Sequence, residues 1–100
     1  MNIMLVCSAG MSTSMLVTKM EEVAAAKGID ATIWAIPEAS LQAEIDKSDV
    51  ILLGPQVRFL KSKIEAVAAP KGIPVEVIDM MNYGAMNGEA VLQQGLNLKK

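Results

Sequence analysis

Val50-Ile51-Leu52-Leu53 is an uninterrupted run of β-type apolar residues, and Gly54-Pro55-Gln56 ends it at once. A strand covered on both faces loses the alternation of polar and apolar residues, so this run predicts a central strand. A second run, with Thr32 interleaved, alternates more and predicts an edge strand. The chain has three further β-type runs, at about Ile3 to Val6, Ala31 to Ile36 (the alternating run) and Val75 to Ile78.

Each β-type run is followed by a helical pattern. Gly28 is a predicted stop of the first helix, and Ser12 and Asn87 are predicted N-caps of the first and last. The second helix is expected within residues 38–45, and the third is expected to end at the breakers around Gly72. The predicted buried positions are Leu16, Met20 and Val23; Leu41 and Ile45; Leu60, Ile64, Val67 and Ala68; and Val91, Leu92, Leu96 and Leu98.

Strict alternation of strand and helix predicts an α/β fold, a four-stranded parallel sheet with helices on both faces and right-handed crossovers. The flavodoxin-like strand order 2-1-3-4 places the alternating run at an edge and Val50–Leu53 inside. Its topological switch point then lies between the first and third strands, where such sheets bind ligands. We expect a single domain over residues 1–100, because this length suits one compact core.

Composition excludes several classes of function. The net charge of −2 and only three aromatic residues argue against a nucleic-acid partner. The absence of histidine excludes Ser/His/Asp and Cys/His catalysis and His-ligated zinc, and nothing in the sequence predicts a metal or another cofactor. Apolar runs far shorter than a membrane span, no secretory leader and one unpaired cysteine predict a cytoplasmic, non-membrane-spanning protein.

Cys7 is the one cysteine of the chain, at the end of the first β-type run. The small polar segment that follows predicts a phosphate-cradling turn whose backbone N–H groups hold an oxyanion and lower the pKa of a thiol. The same cysteine is also typical of a buried small hydrophobic residue, and the hydroxyls are also typical of helix caps. The candidate phosphate-binding residues are Ser8, Ala9, Gly10, Met11, Ser12, Thr13 and Ser14.

The spacing of this segment overlaps the tyrosine-phosphatase signature, in which arginine stands five residues after the cysteine. Here Thr13 stands in that place, so the bidentate phosphate clamp is missing. The alternative function is a low-molecular-weight phosphatase or arsenate-reductase-like thiol enzyme, which shares the low-molecular-weight tyrosine-phosphatase-like fold. A third hypothesis is a non-catalytic adaptor in which Cys7 is structural.

Three motifs in order give the chain a family resemblance. They are Cys7-Ser8-Ala9-Gly10-Met11-Ser12-Thr13-Ser14 after the first strand, Leu53-Gly54-Pro55-Gln56 after the third, and Pro74-Val75-Glu76-Val77-Ile78-Asp79 as the fourth. Over nearly its whole length the chain resembles bacterial phosphotransferase-system enzyme IIB of the lactose/cellobiose (diacetylchitobiose) family. The resemblance implies the same four-stranded parallel sheet and a phosphate loop from Cys7 to about Ser14.

The resemblance also implies an enzymatic role and two partners. Cys7 would be the catalytic residue, taking a phosphoryl group from a phosphohistidine on enzyme IIA. It would pass this group to a sugar of the cellobiose, diacetylchitobiose or lactose type held by the membrane enzyme IIC. Sugar choice is expected to lie with the membrane protein. A carrier that meets both partners on one face is expected to be a monomer.

Three residues outside the cysteine segment are candidates for the rim of the site. Gln56 follows the predicted central strand. It is expected either to contact the phosphate or the partner protein, or only to close a Gly-Pro turn. Asp79 and Tyr83 follow the fourth strand and would face the same edge. For both, the competing interpretation is a turn or packing residue.

Overall fold

The computed structural model describes residues 1–7 and 10–98, with the side chains of residues 10–13 left out of the description. Within these residues, four strands and five α-helices follow one another, with short 3₁₀ helices at Glu38–Ser40, Ile45–Lys47, Pro55–Leu60 and Ala69–Lys71. The strands are β1 (Asn2–Cys7), β2 (Thr32–Pro37), β3 (Val50–Leu53) and β4 (Val75–Val77). The helices are α1 (Gly10–Lys27), α2 (Leu41–Glu44), α3 (Lys61–Ala68), α4 (Met80–Gly84) and α5 (Gly88–Leu98).

The four strands form one parallel sheet in the order β2-β1-β3-β4, as the sequence predicts. Strand β1 lies between β2 and β3, with Val6 opposite Ile36 on one side and opposite Leu53 on the other. The carboxyl ends of parallel strands share one edge of the sheet. The segments that follow Cys7, Leu53 and Val77 therefore meet at that edge.

Two apolar layers cover the sheet, which explains why β3 has no polar residue. Ile51 and Leu53 face the layer under α2 and α3, and Val50 and Leu52 face the layer under α1 and α5. All four residues of β3 are fully buried. Burying large aliphatic side chains contributes about 1.5–3 kcal/mol each, so the central strand anchors the sheet on both sides.

Most predicted helix boundaries are confirmed. Gly28 follows α1 with a φ of 68°, a left-handed conformation that glycine adopts without strain. Asn87 caps α5, because its Oδ1 accepts a hydrogen bond from the backbone N–H of Ala90 at 3.1 Å. Leu41 and Ile45 are buried as predicted, although the second helical region is a chain of two 3₁₀ helices around α2.

Three details differ from the sequence predictions. Helix α1 already begins at Gly10, so Ser12 lies inside it and is not its N-cap. Val67 is 38% exposed, because Ile64 and Ala68 occupy the centre of the buried stripe and leave Val67 at its margin. Val23, Leu96 and Leu98 are half-buried, and the buried residues Ala24 in α1 and Gly95 in α5 complete the inner sides of these helices instead.

Helices α1 and α5 pack closely on one side of the sheet. A Cβ atom placed on Gly88 would lie 2.6 Å from the backbone carbonyl carbon of Lys19, so the two backbones meet where α5 begins. An exposed ion pair also joins the two helices, with 2.6 Å between Nζ of Lys27, the last residue of α1, and Oε2 of Glu89 in α5. Its hydrogen bond and charge lower the pKa of the Glu89 carboxyl. The contact between Gly88 and Lys19 therefore sets how closely α5 approaches α1.

Candidate functional site

Cys7 is the last residue of β1 and points its thiol toward the neighbouring edge strand. Sγ lies 3.7 Å from the carbonyl oxygen of Ile36, to which the thiol donates a long hydrogen bond. The residue is 1% exposed. Cys7 thus lies at the carboxyl edge of the sheet, at the topological switch point predicted from the sequence. In this arrangement its side chain is buried.

The candidate phosphate-binding residues span the end of β1 and the start of α1. Ser8 and Ala9 lie outside the described residues. The backbone of Gly10, Met11, Ser12 and Thr13 forms the first turn of α1, so these four residues of the predicted loop are helical. The first four N–H groups of a helix have no acceptor within it and carry the positive end of the helix dipole. Donors suited to an oxyanion therefore follow Cys7 closely in the chain.

Ser14 belongs to the second turn of α1 and not to a loop. Its side chain is exposed, and its backbone carbonyl accepts a hydrogen bond from the hydroxyl of Thr18 at 3.2 Å. A carbonyl that also receives a threonine hydroxyl is common within helices. Ser14 therefore borders the segment after Cys7 from the helical side.

The turn after β3 lies directly beside the end of β1. The backbone N–H of Gly54 donates to the carbonyl of Val6 at 2.9 Å, which continues the β1–β3 pairing by one residue. Gln56 is exposed on this turn, and its Nε2 donates to the hydroxyl of Tyr83 at 3.1 Å. The structure thus brings Gln56 and Tyr83 together at the same edge of the sheet as Cys7.

Asp79 has a defined structural role at the start of α4. Its Oδ1 accepts hydrogen bonds from the backbone N–H groups of Met81 at 2.9 Å and Asn82 at 3.1 Å. Its own N–H donates to Gln94 Oε1 at 3.4 Å, which links the turn to α5. Asp79 is an N-cap, and it holds the short helix that carries Tyr83.

Asp79→Ala is expected to loosen α4 by about 1 kcal/mol, the usual cost of losing a capping side chain. Each kcal/mol corresponds to roughly fivefold in an opening equilibrium. We therefore expect about fivefold faster hydrogen exchange at the backbone N–H of Ala85, which donates a hydrogen bond to the carbonyl of Met81 in α4. Asp79→Asn keeps an acceptor oxygen and should exchange at close to the original rate. Equal acceleration in both variants would contradict the capping role.

A groove of about 740 Å³ opens between the turn after β3 and α4. Phe59 is 75% exposed and Met80 60% exposed, and both line it. The other lining residues are Pro55, Gln56, Arg58, Tyr83 and Gly84. Sequence reasoning missed this surface, because α4 is too short to have an apolar period and Phe59 lies outside the helical stripe of α3. The sequence did contain one sign of it: two adjacent apolar residues, Met80 and Met81, that belong to no strand or helix pattern and are therefore candidates for an exposed apolar surface.

Neither a metal centre nor a membrane span is found in the part of the chain that the structure describes. Over residues 1–7 and 10–98, no three side chains of the His, Cys, Asp or Glu type come together as metal ligands. No helix within those ranges has the length and hydrophobicity needed to cross a bilayer.

Comparison with known protein sequences identifies relatives over almost the full length. Residues 2–94 match the model of the family described as PTS system, Lactose/Cellobiose specific IIB subunit. The chain is 48% identical over 96 residues to the oligo-beta-mannoside-specific EIIB component of Bacillus subtilis, covering 96% of this chain and 93% of that protein. It is 45% identical over 101 aligned positions to the cellobiose-specific EIIB component of Lactococcus lactis, with coverage of 96% and 94%.

Two solved structures resemble the fold. The solution structure of the cellobiose-specific IIB component from Borrelia burgdorferi superposes with a TM-score of 0.82 at 55% identity, covering 99% of this chain and 91% of that one. The lactose-specific IIB domain from Streptococcus pneumoniae gives a TM-score of 0.90 at 19% identity, with 100% and 98% covered, and so supports the fold alone. With the family model matched over residues 2–94, the chain belongs to the lactose/cellobiose-specific IIB family and is a phosphotransferase component of a sugar transport system.

Proposed function

We propose that the protein is a phosphoryl carrier in which Cys7 takes a phosphoryl group from a phosphohistidine of enzyme IIA. It then passes the group to a β-linked disaccharide bound by the membrane enzyme IIC. The observation that carries the proposal is the position of the chain's one thiol, at the carboxyl end of β1 and just before α1, in a member of the IIB family. The whole chain would act as one IIB domain.

The first transfer exchanges one bond to phosphorus for another. The sulfur of Cys7 bonds to phosphorus as the N–P bond of the donor phosphohistidine breaks. The thiol proton ends on the released imidazole, so the donor returns as neutral histidine. The chain contains no histidine of its own, and the imidazole chemistry of this step belongs to the donor.

The second transfer restores the thiol. A hydroxyl oxygen of the sugar bonds to phosphorus as the S–P bond breaks, and the hydroxyl proton returns to sulfur through solvent. The B. subtilis relative is described as oligo-beta-mannoside-specific and the L. lactis relative as cellobiose-specific. These names support a β-linked sugar of the cellobiose, diacetylchitobiose or lactose type, with the final choice made by IIC.

Neutral donors would hold the phosphoryl group between the two transfers. The start of α1 offers backbone N–H groups, and residues 8–14 contain four hydroxyl side chains but no charged one. Preorganised dipoles stabilise the transferring oxygens without an ion pair, which leaves the group free to move on. The Cys7 thiol is buried and hydrogen-bonded to the backbone carbonyl of Ile36. It must therefore rotate away from that carbonyl before it attacks phosphorus.

The partners would dock on the carboxyl edge of the sheet. Exposed apolar side chains occur on the segments that follow β1, β3 and β4, namely Met15, Phe59, Met80 and Met81. Flexible methionines suit a surface that packs against more than one protein. IIA and IIC would use this edge in turn, and the carrier would work as a cytoplasmic monomer.

The proposal is tested by mixing the protein with a IIA protein of the family that has been phosphorylated on histidine. We expect the intact mass to rise by one phosphoryl group per chain, and peptide mapping to place this group on Cys7. Adding membranes that contain the cognate IIC and its sugar should discharge it. A phosphoryl group found on a serine of residues 8–14, or no gain in mass, would contradict the proposal.

A further inference from the structure

Gly54 is the residue that brings the turn after β3 next to the reactive thiol. Leu53 is paired with Val6, and the N–H of Gly54 donates to the Val6 carbonyl at 2.9 Å. Gly54 therefore stands beside Cys7, one residue beyond the last paired positions of the two strands. Gly54 and Cys7 are thus backbone neighbours at the carboxyl edge of the sheet.

The side-chain amide of Gln56 folds back over Gly54. A Cβ atom built on Gly54 would lie 2.6 Å from Gln56 Oε1, 3.1 Å from its Cδ and 3.3 Å from its Nε2. The amide thus occupies the space that any other residue at position 54 would fill. The backbone at Gly54 has an ordinary φ of −61°, so a side chain at this position would displace the Gln56 amide and would not strain the backbone.

Tyr83 fixes this amide from the other side. Gln56 Nε2 donates to Tyr83 Oη at 3.1 Å across 27 residues of sequence. The Tyr83 ring packs partly buried against the core, and the Asp79 cap holds its helix. An exposed glutamine has many rotamers, whereas this one is held between a bare backbone and an anchored hydroxyl.

We propose that Tyr83 is a positioning residue for phosphoryl transfer, because its hydroxyl holds the Gln56 amide over Gly54, where the second N–H of that amide donates to a phosphoryl oxygen on Cys7. An amide nitrogen carries two N–H donors, and the bond to Tyr83 uses one of them. The second adds a neutral donor from the β3 side, opposite the donors at the start of α1. This inference rests on the proposed role of Cys7 as the phosphoryl carrier.

The inference predicts matched defects in three variants, measured as the rate of transfer from histidine-phosphorylated IIA. Tyr83→Phe removes only the hydroxyl and should slow transfer about 10-fold. Gln56→Ala removes the donor and should slow it roughly 10- to 100-fold, somewhat below the loss typical of a fully buried oxyanion donor. Gly54→Ala would push the same amide aside and should resemble Gln56→Ala. Combining Tyr83→Phe with Gln56→Ala should be no slower than Gln56→Ala alone, within about twofold.

Two readouts separate positioning from a merely structural role. The maximal rate should fall while the half-saturating IIA concentration stays within about twofold, because the donor acts on the transferring group. The ³¹P resonance of the phosphorylated protein should shift in both Gln56→Ala and Tyr83→Phe. Gln93→Ala is the matched control, since Gln93 also donates from an exposed amide, to Asn97 Oδ1 at 2.9 Å on α5. It should leave rate and resonance unchanged.

The possible failures are distinguishable. A wild-type chain that gains no phosphoryl group on Cys7 would remove the proposed function and this inference with it. A wild-type chain that is phosphorylated normally, while Tyr83→Phe transfers at the wild-type rate, would overturn this inference alone. Multiplicative defects in the double variant would do the same, since they would mean that Tyr83 and Gln56 act independently. Urea midpoints close to wild type in all variants would assign the losses to the site.

Discussion

Cys7→Ser is expected to lower the rate of phosphoryl transfer from IIA by at least about 10³-fold, the scale on which enzymes respond to loss of a nucleophile. The substitution changes one atom and keeps a donor for the Ile36 carbonyl. Thiol sulfur is intrinsically a strong nucleophile, whereas a serine hydroxyl needs a base to activate it. The chain has no histidine to serve as that base. Transfer can be followed by rapid quench and intact-mass analysis.

Cys7→Ala supplies the control for folding and for the site of attachment. A buried cysteine acts as a small hydrophobic residue, so we expect this variant to lose no more than about 2 kcal/mol in urea unfolding. It should carry no phosphoryl group at any time of incubation. Stoichiometric phosphorylation of the folded alanine variant would show that another residue is the acceptor.

The topology was predictable because the four strands differ in how they are covered. Val50–Leu53 is apolar throughout and is buried on both faces, while the alternating run around Thr32 lies at the edge. The flavodoxin-like order 2-1-3-4 satisfies both contrasts, and it is the observed order. The placement of Cys7 and Gln56 at one edge then followed from the rule that parallel strands end together.

The conformations of short segments were not predictable in the same way. Helix α4 has five residues, fewer than two turns, so no apolar period can reveal it. Val67 was predicted to be buried from its spacing, but the margin of a helical stripe depends on how the helix rotates against its neighbours. The start of α1 at Gly10 is similar, since hydroxyl residues are compatible with both a cap and a first turn.

The link between Gln56 and Tyr83 lay beyond any sequence pattern. It joins residues 27 positions apart through one hydrogen bond, and it depends on the missing Cβ of Gly54. The Gly-Pro pair predicted a turn, but not the direction in which the following glutamine would fold. Only the tertiary arrangement shows that this glycine leaves room for the Gln56 amide.

The close contact between α5 and α1 predicts a second large effect, in stability. Gly88→Ala would place a methyl group 2.6 Å from the carbonyl carbon of Lys19 and 2.8 Å from its carbonyl oxygen. These are backbone atoms of α1, so relief requires the two helices to separate. Overpacking commonly costs about 1–3 kcal/mol, and we expect a loss near the upper end, measured as the free energy of unfolding in urea. A domain of this size has roughly 5–15 kcal/mol in total.

Gly95→Ala is the matched control, because it makes the same change in the same helix. Gly95 is also buried, but the atoms nearest to an added Cβ are side-chain carbons of Leu52 and Ile3, at 3.4 to 3.6 Å. These are ordinary contacts, and alanine is favoured over glycine within a helix by up to about 1 kcal/mol. We expect Gly95→Ala to be neutral or stabilising while Gly88→Ala is destabilising. Equal stability of the two variants would mean that α5 can shift along α1, and that this contact does not set how closely the two helices approach.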